Sequence, residues 1–262
     1  MAISNRLTRL FSESDRKLLS IYFTAGFPGL QDAPLLCQLL EKNGVDLIEI
    51  GFPFSDSLVD GPTIQAANEC ALKNGMTLEL LFKQLENIRS LVALPLVLMS
   101  CVNPLLSYGM QRFAADCSRV GLDGVIIPDL PPEYMEPYRG FFEERSLSTV
   151  FLVTSHTSPE RIRMIDRLSS GFIYAVSSDA TTGNYLEVGE RQREFFRRLS
   201  EMRLTNPFLV GFGVSDAKSF ERVSEYSRGA IIGSAFIRAL SNQGGLEEKV
   251  QSFIGSLRSP KP

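Results

Sequence analysis

The sequence is poor in the residues that most often carry metal and nucleophile chemistry. Among 262 residues, His156 is the single histidine and there are four cysteines, Cys37, Cys70, Cys101 and Cys117. No two of these cysteines make a C-x-x-C pair, which argues against the common Cys/His metal sites and against a disulfide framework. A Ser-His-Asp or Cys-His mechanism would have only His156 to draw on, in "TSHTSPERI", with no nucleophile-elbow sequence around it. Acid–base work therefore falls to carboxylates, tyrosine or lysine, with no metal expected.

Two further shortages narrow the class. No basic block or Arg/Lys stripe with interleaved aromatics occurs and the net charge is −3, so nucleic acid is not an expected partner. The most apolar stretch, "LVALPLVLMSCV" (91–102), is too short to cross a bilayer and contains Pro95; it reads as a buried strand. The opening "MAISNRLTRLFSESDRKLLS" mixes charges with isolated apolar residues, unlike a secretory signal. Cytoplasm is the expected compartment.

What is present is a repeated alternation. Short runs rich in Val, Ile, Leu and Phe occur at 19–25, 46–51, 94–100, 123–129, 148–154, 171–177, 207–213 and 229–234, without strict polar alternation, as in parallel strands covered on both faces. Helical segments separate them. "QDAPLLCQLLEKNG" and "MQRFAADCSRVG" each stop at glycine, "SPERIRMIDRLSSG" opens on Ser-Pro-Glu, and "SDAKSFERVSEYSRG" opens on a Ser-Asp cap. With no linker or low-complexity tract, this pattern predicts one α/β domain over 1–262. The expected fold is a (β/α)8 TIM barrel with an extra N-terminal helix and a short extra helix, "SAFIRAL" (234–240), after the eighth strand. A doubly wound open sheet with added strands is the alternative.

Barrel chemistry gathers at the C-terminal strand ends. There, "LIEIGFPFSDSLVDGPTI" (47–64) places Glu49 inside an apolar run and Asp60 on the loop that follows. A partly buried Glu49 is expected to have a raised pKa suited to proton exchange, while a better solvated Asp60 is expected to stay ionised. A buried ion pair for Glu49 and a turn-forming role for Asp60 in "VDGP" are the bland alternatives. Tyr174 points toward the same cavity, though a core tyrosine is the commoner reading. "VGFGVSDAKS" and "IIGSAFIRAL" each bring glycines (Gly211, Gly213, Gly233) and Ser234 to the start of a helix, as phosphate sites of barrels do; tight βα turns alone also explain them.

The stretch "IEIGFPFSDSLVDGPTIQ" resembles the signature of the tryptophan synthase alpha subunit family, which is close to E-L-G-x-P-F-S-D-P-x-A-D-G-P. "FTAGFPG", "NPLLSYGMQRF", "GVIIPDLPPE", "GFIYAVS", "GFGVSD" and "GSAFI" follow in the family's order along the whole chain. The resemblance implies a lyase that splits indole-3-glycerol phosphate into indole and glyceraldehyde 3-phosphate by a retro-aldol reaction, with no metal or cofactor in this chain. It implies Glu49 as the acid–base residue at indole C3 and the glycerol hydroxyl, Asp60 as the anchor of the indole N–H, and Tyr174 as support for the substrate. It implies Gly183, Gly211, Gly213, Gly233 and Ser234 as phosphate ligands, with Thr182 closing against Asp60. It also implies a PLP-dependent beta subunit as partner in an α2β2 assembly, faced by Asp56 and Asn103.

The chain departs from the family pattern in four places. Ser57 replaces the usual proline, and Cys101 and Val102 stand where tyrosines often line the indole pocket. The sixth loop reads Ser177-Ser178-Asp179-Ala180-Thr181-Thr182-Gly183 in place of a sequence close to S-R-x-G-V-T-G. An alpha-like chain that mainly activates its beta subunit is the functional alternative, and a phosphosugar isomerase or aldolase on the same fold is a third.

Overall fold

A computed structural model describes residues 3–176, 190–211 and 213–258, with Arg258 described by its backbone alone. The sixth-loop residues Ser178, Asp179, Ala180, Thr181, Thr182 and Gly183 lie outside the described residues.

Among the described residues nine parallel strands form one sheet: β1 (Leu18–Thr24), β2 (Leu47–Gly51), β3 (Leu96–Met99), β4 (Gly124–Ile126), β5 (Ser148–Val150), β6 (Leu152–Thr154), β7 (Ile173–Val176), β8 (Phe208–Gly211) and β9 (Gly229–Ile232). Their order, β5-β4-β3-β2-β1-β9-β8-β7-β6, brings the two ends of the sheet to either side of Phe151. The eighth of the expected runs is therefore β9, because the fifth run, 148–154, is split. Its first half pairs with β4 and its second with β7. The Phe151 carbonyl still accepts from the Tyr174 amide at 3.0 Å, so hydrogen bonding continues across the change of partner. Helices surround the sheet, and the architecture is the expected TIM barrel rather than an open doubly wound sheet.

Alternation along the strands sorts residues into two cores. Leu19, Ile21 and Phe23 of β1 point outward and pack in the shell between sheet and helices. Leu18 and Tyr22, with Leu47, Val97, Ile126, Val150, Phe172, Tyr174, Leu209 and Ile231 from the other strands, fill the interior. The N-terminal face is closed by the extra helix Arg6–Glu13, whose Leu7 and Phe11 join that interior core. The Asn5 side chain accepts from the Thr8 amide at 3.0 Å, and its amide group donates to the Asp123 and Ser146 carbonyls at 2.7 and 2.8 Å, so one cap both starts the helix and ties it across the floor. Gly171 sits in the left-handed region at φ 94°, and a Cβ there would come 2.8 Å from Leu7 Cδ2, which is why the chain needs glycine beneath the plug.

The helix boundaries follow the sequence signals. Ala33–Lys42 and Met110–Arg119 are followed by Gly44 and Gly121, both at φ 79°. Pro159–Leu168 is capped by Ser158, and Ala217–Ser224 by Asp216 in a capping box with Ser219. The short helix Ser234–Leu240 follows the last strand and precedes Leu246–Arg258. Among the described residues no helix is long and apolar enough to cross a membrane.

Candidate active site

Inward positions on β1 and β2 build the site. Ser20, Tyr22 and Thr24 share the inner face of β1, and Tyr22 pairs in register with Glu49. Alternation thus forces the Glu49 side chain into the barrel rather than into the helix layer. The expectation of a partly buried Glu49 needs correction, because its exposure is 0%. It lies within the barrel's interior, below the rim.

The Ser20 hydroxyl donates to Glu49 Oε1 at 3.0 Å. Oε2 is buried with no hydrogen-bond partner among the described residues. Burial pushes the Glu49 carboxyl up to about 8, opposed only by the Ser20 bond. The buried ion pair weighed as an alternative for Glu49 is not found among the described residues. A carboxyl in this state carries its proton at neutral pH and can give it up without a large free-energy cost.

Asp60 lies on the loop after β2, just before the helix Pro62–Lys73. The Ser57 hydroxyl donates to its Oδ2 at 2.5 Å and the Asn68 amide to the same oxygen at 3.2 Å. The expectation that Asp60 is well solvated is also corrected. It is half-buried, and burial raises its pKa, while the Ser57 and Asn68 bonds pull in the opposite direction. The physical cause is local: the Asp60 carboxylate turns in against Ser57 and Asn68, while Asp56, Leu58 and Val59 of the same loop stand in water.

Two tyrosines share the barrel interior with Glu49. Tyr22 and Tyr174 are both buried, each is pushed up first by that burial, and the charges of Glu49 and Asp60 reach both. Each ring lies across a strand-end glycine. A Cβ on Gly51 would strike Tyr22, and one on Gly211 would strike Tyr174. Tyr174 sits buried in the interior core within reach of the Glu49 charge, and the bareness of Gly211 has a reason besides phosphate: it admits the Tyr174 ring.

The remaining glycines collect on the neighbouring sector. Gly213 follows β8 at φ 77°, with open space where a Cβ would stand. Gly233 precedes the helix Ser234–Leu240, and its missing Cβ leaves room for Tyr22, whose Cδ1 would be 3.2 Å away. β8 and β9 are hydrogen-bonded neighbours, so Gly211, Gly213, Gly233 and Ser234 come together at one side of the mouth. Gly183 and Thr182 are outside the described residues. Asp56 is exposed on the loop after β2, and Asn103 is exposed in the first turn of the helix Val102–Tyr108 that follows β3. His156 is exposed at the end of β6.

Sequence reasoning missed Ser20, Tyr22, Thr24 and Asn68, and marked Ser57 only as a replacement for proline. A signal for the first three was present: polar residues at spacing two in "LSIYFTA" mark an inner face with chemistry on it. Asn68 carried no such mark. Its link to Asp60, and a longer 3.5 Å approach from the Thr24 hydroxyl, arise only when the helix Pro62–Lys73 packs beside β1.

Comparison with known proteins gives one consistent result. The family model described as tryptophan synthase alpha chain matches residues 9–259. The chain is 52% identical over 255 residues to the tryptophan synthase alpha chain of Flavobacterium johnsoniae, covering 97% of this chain and 100% of that one. It is 49% identical over 256 residues to that of Christiangramia forsetii, covering 97% and 99%. Among solved structures it is similar to a tryptophan synthase from M. tuberculosis in an aminoacrylate-bound form, with TM-score 0.85, 30% identity and coverage of 97% of this chain and 98% of that chain. It is also similar to the tryptophan synthase A-subunit of Pyrococcus furiosus, with TM-score 0.83, 32% identity and coverage of 92% and 97%.

Proposed function

The chain belongs to the tryptophan synthase alpha chain family, and from that premise we propose how its residues divide the work of the family's reaction. It is a lyase of tryptophan biosynthesis, the cofactor-free subunit of the tryptophan synthase complex, which cleaves indole-3-glycerol phosphate to indole and glyceraldehyde 3-phosphate.

Glu49 is the proton donor and acceptor. Its protonated carboxyl gives a proton to indole C3, converting the ring to an iminium cation. The carbinol hydroxyl then loses its proton to the Glu49 carboxylate, the C–O bond becomes the aldehyde C=O, and the electrons of the C–C bond return to the ring. The proton count closes, and Glu49 ends as it began. Asp60 accepts the ring N–H and balances the positive charge that spreads onto the ring after C3 is protonated. Tyr174, held over Gly211, packs against the substrate beside Glu49, and Tyr22 forms the opposite wall. Gly213, Gly233 and Ser234, with Gly183 of the sixth loop, bind the phosphate, and Thr182 closes against Asp60.

The observation that carries this reading is Glu49 itself: fully buried, kept from cationic partners among the described residues, with Oε2 left unbonded inside the barrel. A purely structural glutamate would be expected to have both oxygens satisfied, because a buried polar atom without a partner costs about 1–3 kcal/mol. No observation on the described residues favours the reading in which the chain only activates its partner. Indole release from indole-3-glycerol phosphate by the purified chain, alone and with a beta subunit, tests the assignment; absence of release in both conditions overturns it.

Family membership brings a beta subunit as partner. The docking face is assigned to the segments after β2, β3 and β4: the loop bearing Asp56 and Leu58, the helix Val102–Tyr108 bearing Asn103 and Leu106, and the helix Pro132–Met135 bearing Tyr134, with Leu58, Leu106 and Tyr134 exposed to 93%, 48% and 69%. Large apolar side chains left in water after successive strands are what a partner surface needs. An α2β2 assembly, PLP in the beta subunit, a cytoplasmic location and a single domain over 1–262 complete the proposal.

A further inference from the structure

Ser57 stands where the resembled signature has proline, and the substitution supplies a donor that proline lacks. We propose that Ser57 is a positioning residue for Asp60: its hydroxyl holds the carboxylate through Oδ2 and so keeps Oδ1 for the N–H of the substrate's ring. The inference rests on the reading above that Asp60 receives that N–H.

The geometry is specific. Ser57 is 4% exposed, on a loop whose neighbours Asp56 and Leu58 are in solvent. Its Oγ lies 2.5 Å from Asp60 Oδ2, and Asn68 Nδ2 reaches the same oxygen at 3.2 Å. Among the described residues nothing donates to Oδ1. The Cys101 thiol, 3.7 Å from Ser57 Oγ, acts as a weak donor behind the hydroxyl and turns its proton toward Asp60. The Gln65 amide clamps the turn by donating to the Ser57 and Asp60 carbonyls at 3.2 and 3.0 Å. A clamped turn, an oriented hydroxyl and one occupied carboxylate oxygen together define which oxygen is offered to a ligand.

The electrostatic surroundings make the donor consequential. Tyr22 from β1, Cys101 after β3 and Tyr174 from β7 are the titratable groups that feel the Asp60 charge, and Glu49 in the barrel below acts on the same two tyrosines. Burial keeps the two tyrosines neutral and pushes the Cys101 thiol up to about 11, so none of them places a charge of its own beside Asp60. Ser57 is the larger of the two hydrogen-bonding influences that oppose the rise of Asp60 with burial.

The test uses the full-length chain labelled with 13C at aspartate carboxyls, with Asp60→Asn identifying the Asp60 resonance. Ser57→Ala raises the Asp60 pKa by about one pH unit, and Ser57→Thr, which keeps the hydroxyl, leaves it near wild type. The acid limb of kcat/KM for indole release moves up by the same amount in Ser57→Ala alone. Identical Asp60 titrations in wild type and Ser57→Ala overturn the inference, whether or not the chain releases indole. An Asp60 titration that moves while the acid limb stays fixed leaves the hydroxyl's hold on Asp60 standing and overturns the catalytic use of Asp60.

Discussion

The Ser20 hydroxyl donates to one oxygen of Glu49 at 3.0 Å, and the other oxygen of the same carboxyl is buried without a partner among the described residues. That asymmetry fixes the carboxyl's orientation through Oε1 and leaves Oε2 free to work. Replacing Glu49 by Gln keeps the shape and removes the exchangeable proton. Indole release falls by about 10²–10⁴-fold, the usual contribution of a positioned acid–base group, while the circular dichroism spectrum is unchanged.

Ser20→Ala removes the bond that opposes the rise of Glu49. With burial then unopposed, the carboxyl titrates above the value of about 8 that it has with Ser20 present. Donation to C3 requires the protonated form, so activity falls as pH rises through this pKa. The alkaline limb of the kcat profile therefore moves to higher pH in Ser20→Ala, by about one pH unit.

Glu49 also makes stability depend on pH. The unfolded chain releases its proton near the ordinary 4.5, whereas the folded protein holds it to about 8. Between those values the folded state binds more protons than the unfolded state, so the contribution of Glu49 to stability declines as pH rises through this window. Urea unfolding at pH 5 and pH 8 shows a smaller loss for Glu49→Gln than for wild type, the difference being on the order of a few kcal/mol.

Gly211→Ala forces a methyl group into the Tyr174 ring, with strand backbone on one side and a buried ring on the other. Overpacking of this kind costs about 1–3 kcal/mol. Thermal melting shows that loss, and KM for indole-3-glycerol phosphate rises because the displaced ring enters the substrate's space.

On the opposite face, Asp123 is buried and accepts from Arg89 Nη2 at 2.5 Å, Arg6 Nη1 at 3.1 Å and the Leu96 amide at 3.0 Å. Asp123→Ala strands a half-buried arginine and a buried amide at the barrel floor. Denaturant unfolding registers a loss of about 3–5 kcal/mol. The kcat per folded molecule is unchanged, because the hub lies at the end of the barrel away from Glu49.

Tyr134→Ser with Leu106→Asp takes apolar surface and charge balance from the proposed docking face without touching the barrel interior. Titration with beta subunit shows weaker association, and indole release by the isolated chain stays at the wild-type rate.

Strand positions, helix stops and caps, and the two acids were legible in the linear sequence, because each depends on residue type and short-range spacing. A run such as "DLIEIG" must become a buried strand whatever surrounds it, and a glutamate inside it must be unusual. The sequence reading missed what depends on which elements touch. It treated Glu49 as half-dry and Asp60 as solvated, and passed over Ser20, Tyr22 and Asn68, because burial depth and donor placement belong to the closed barrel. The split of the fifth run at Phe151 likewise follows from a change of strand partner between β4 and β7. Local chemistry chose the groups; only packing decided how dry each one is and which of its atoms remain free.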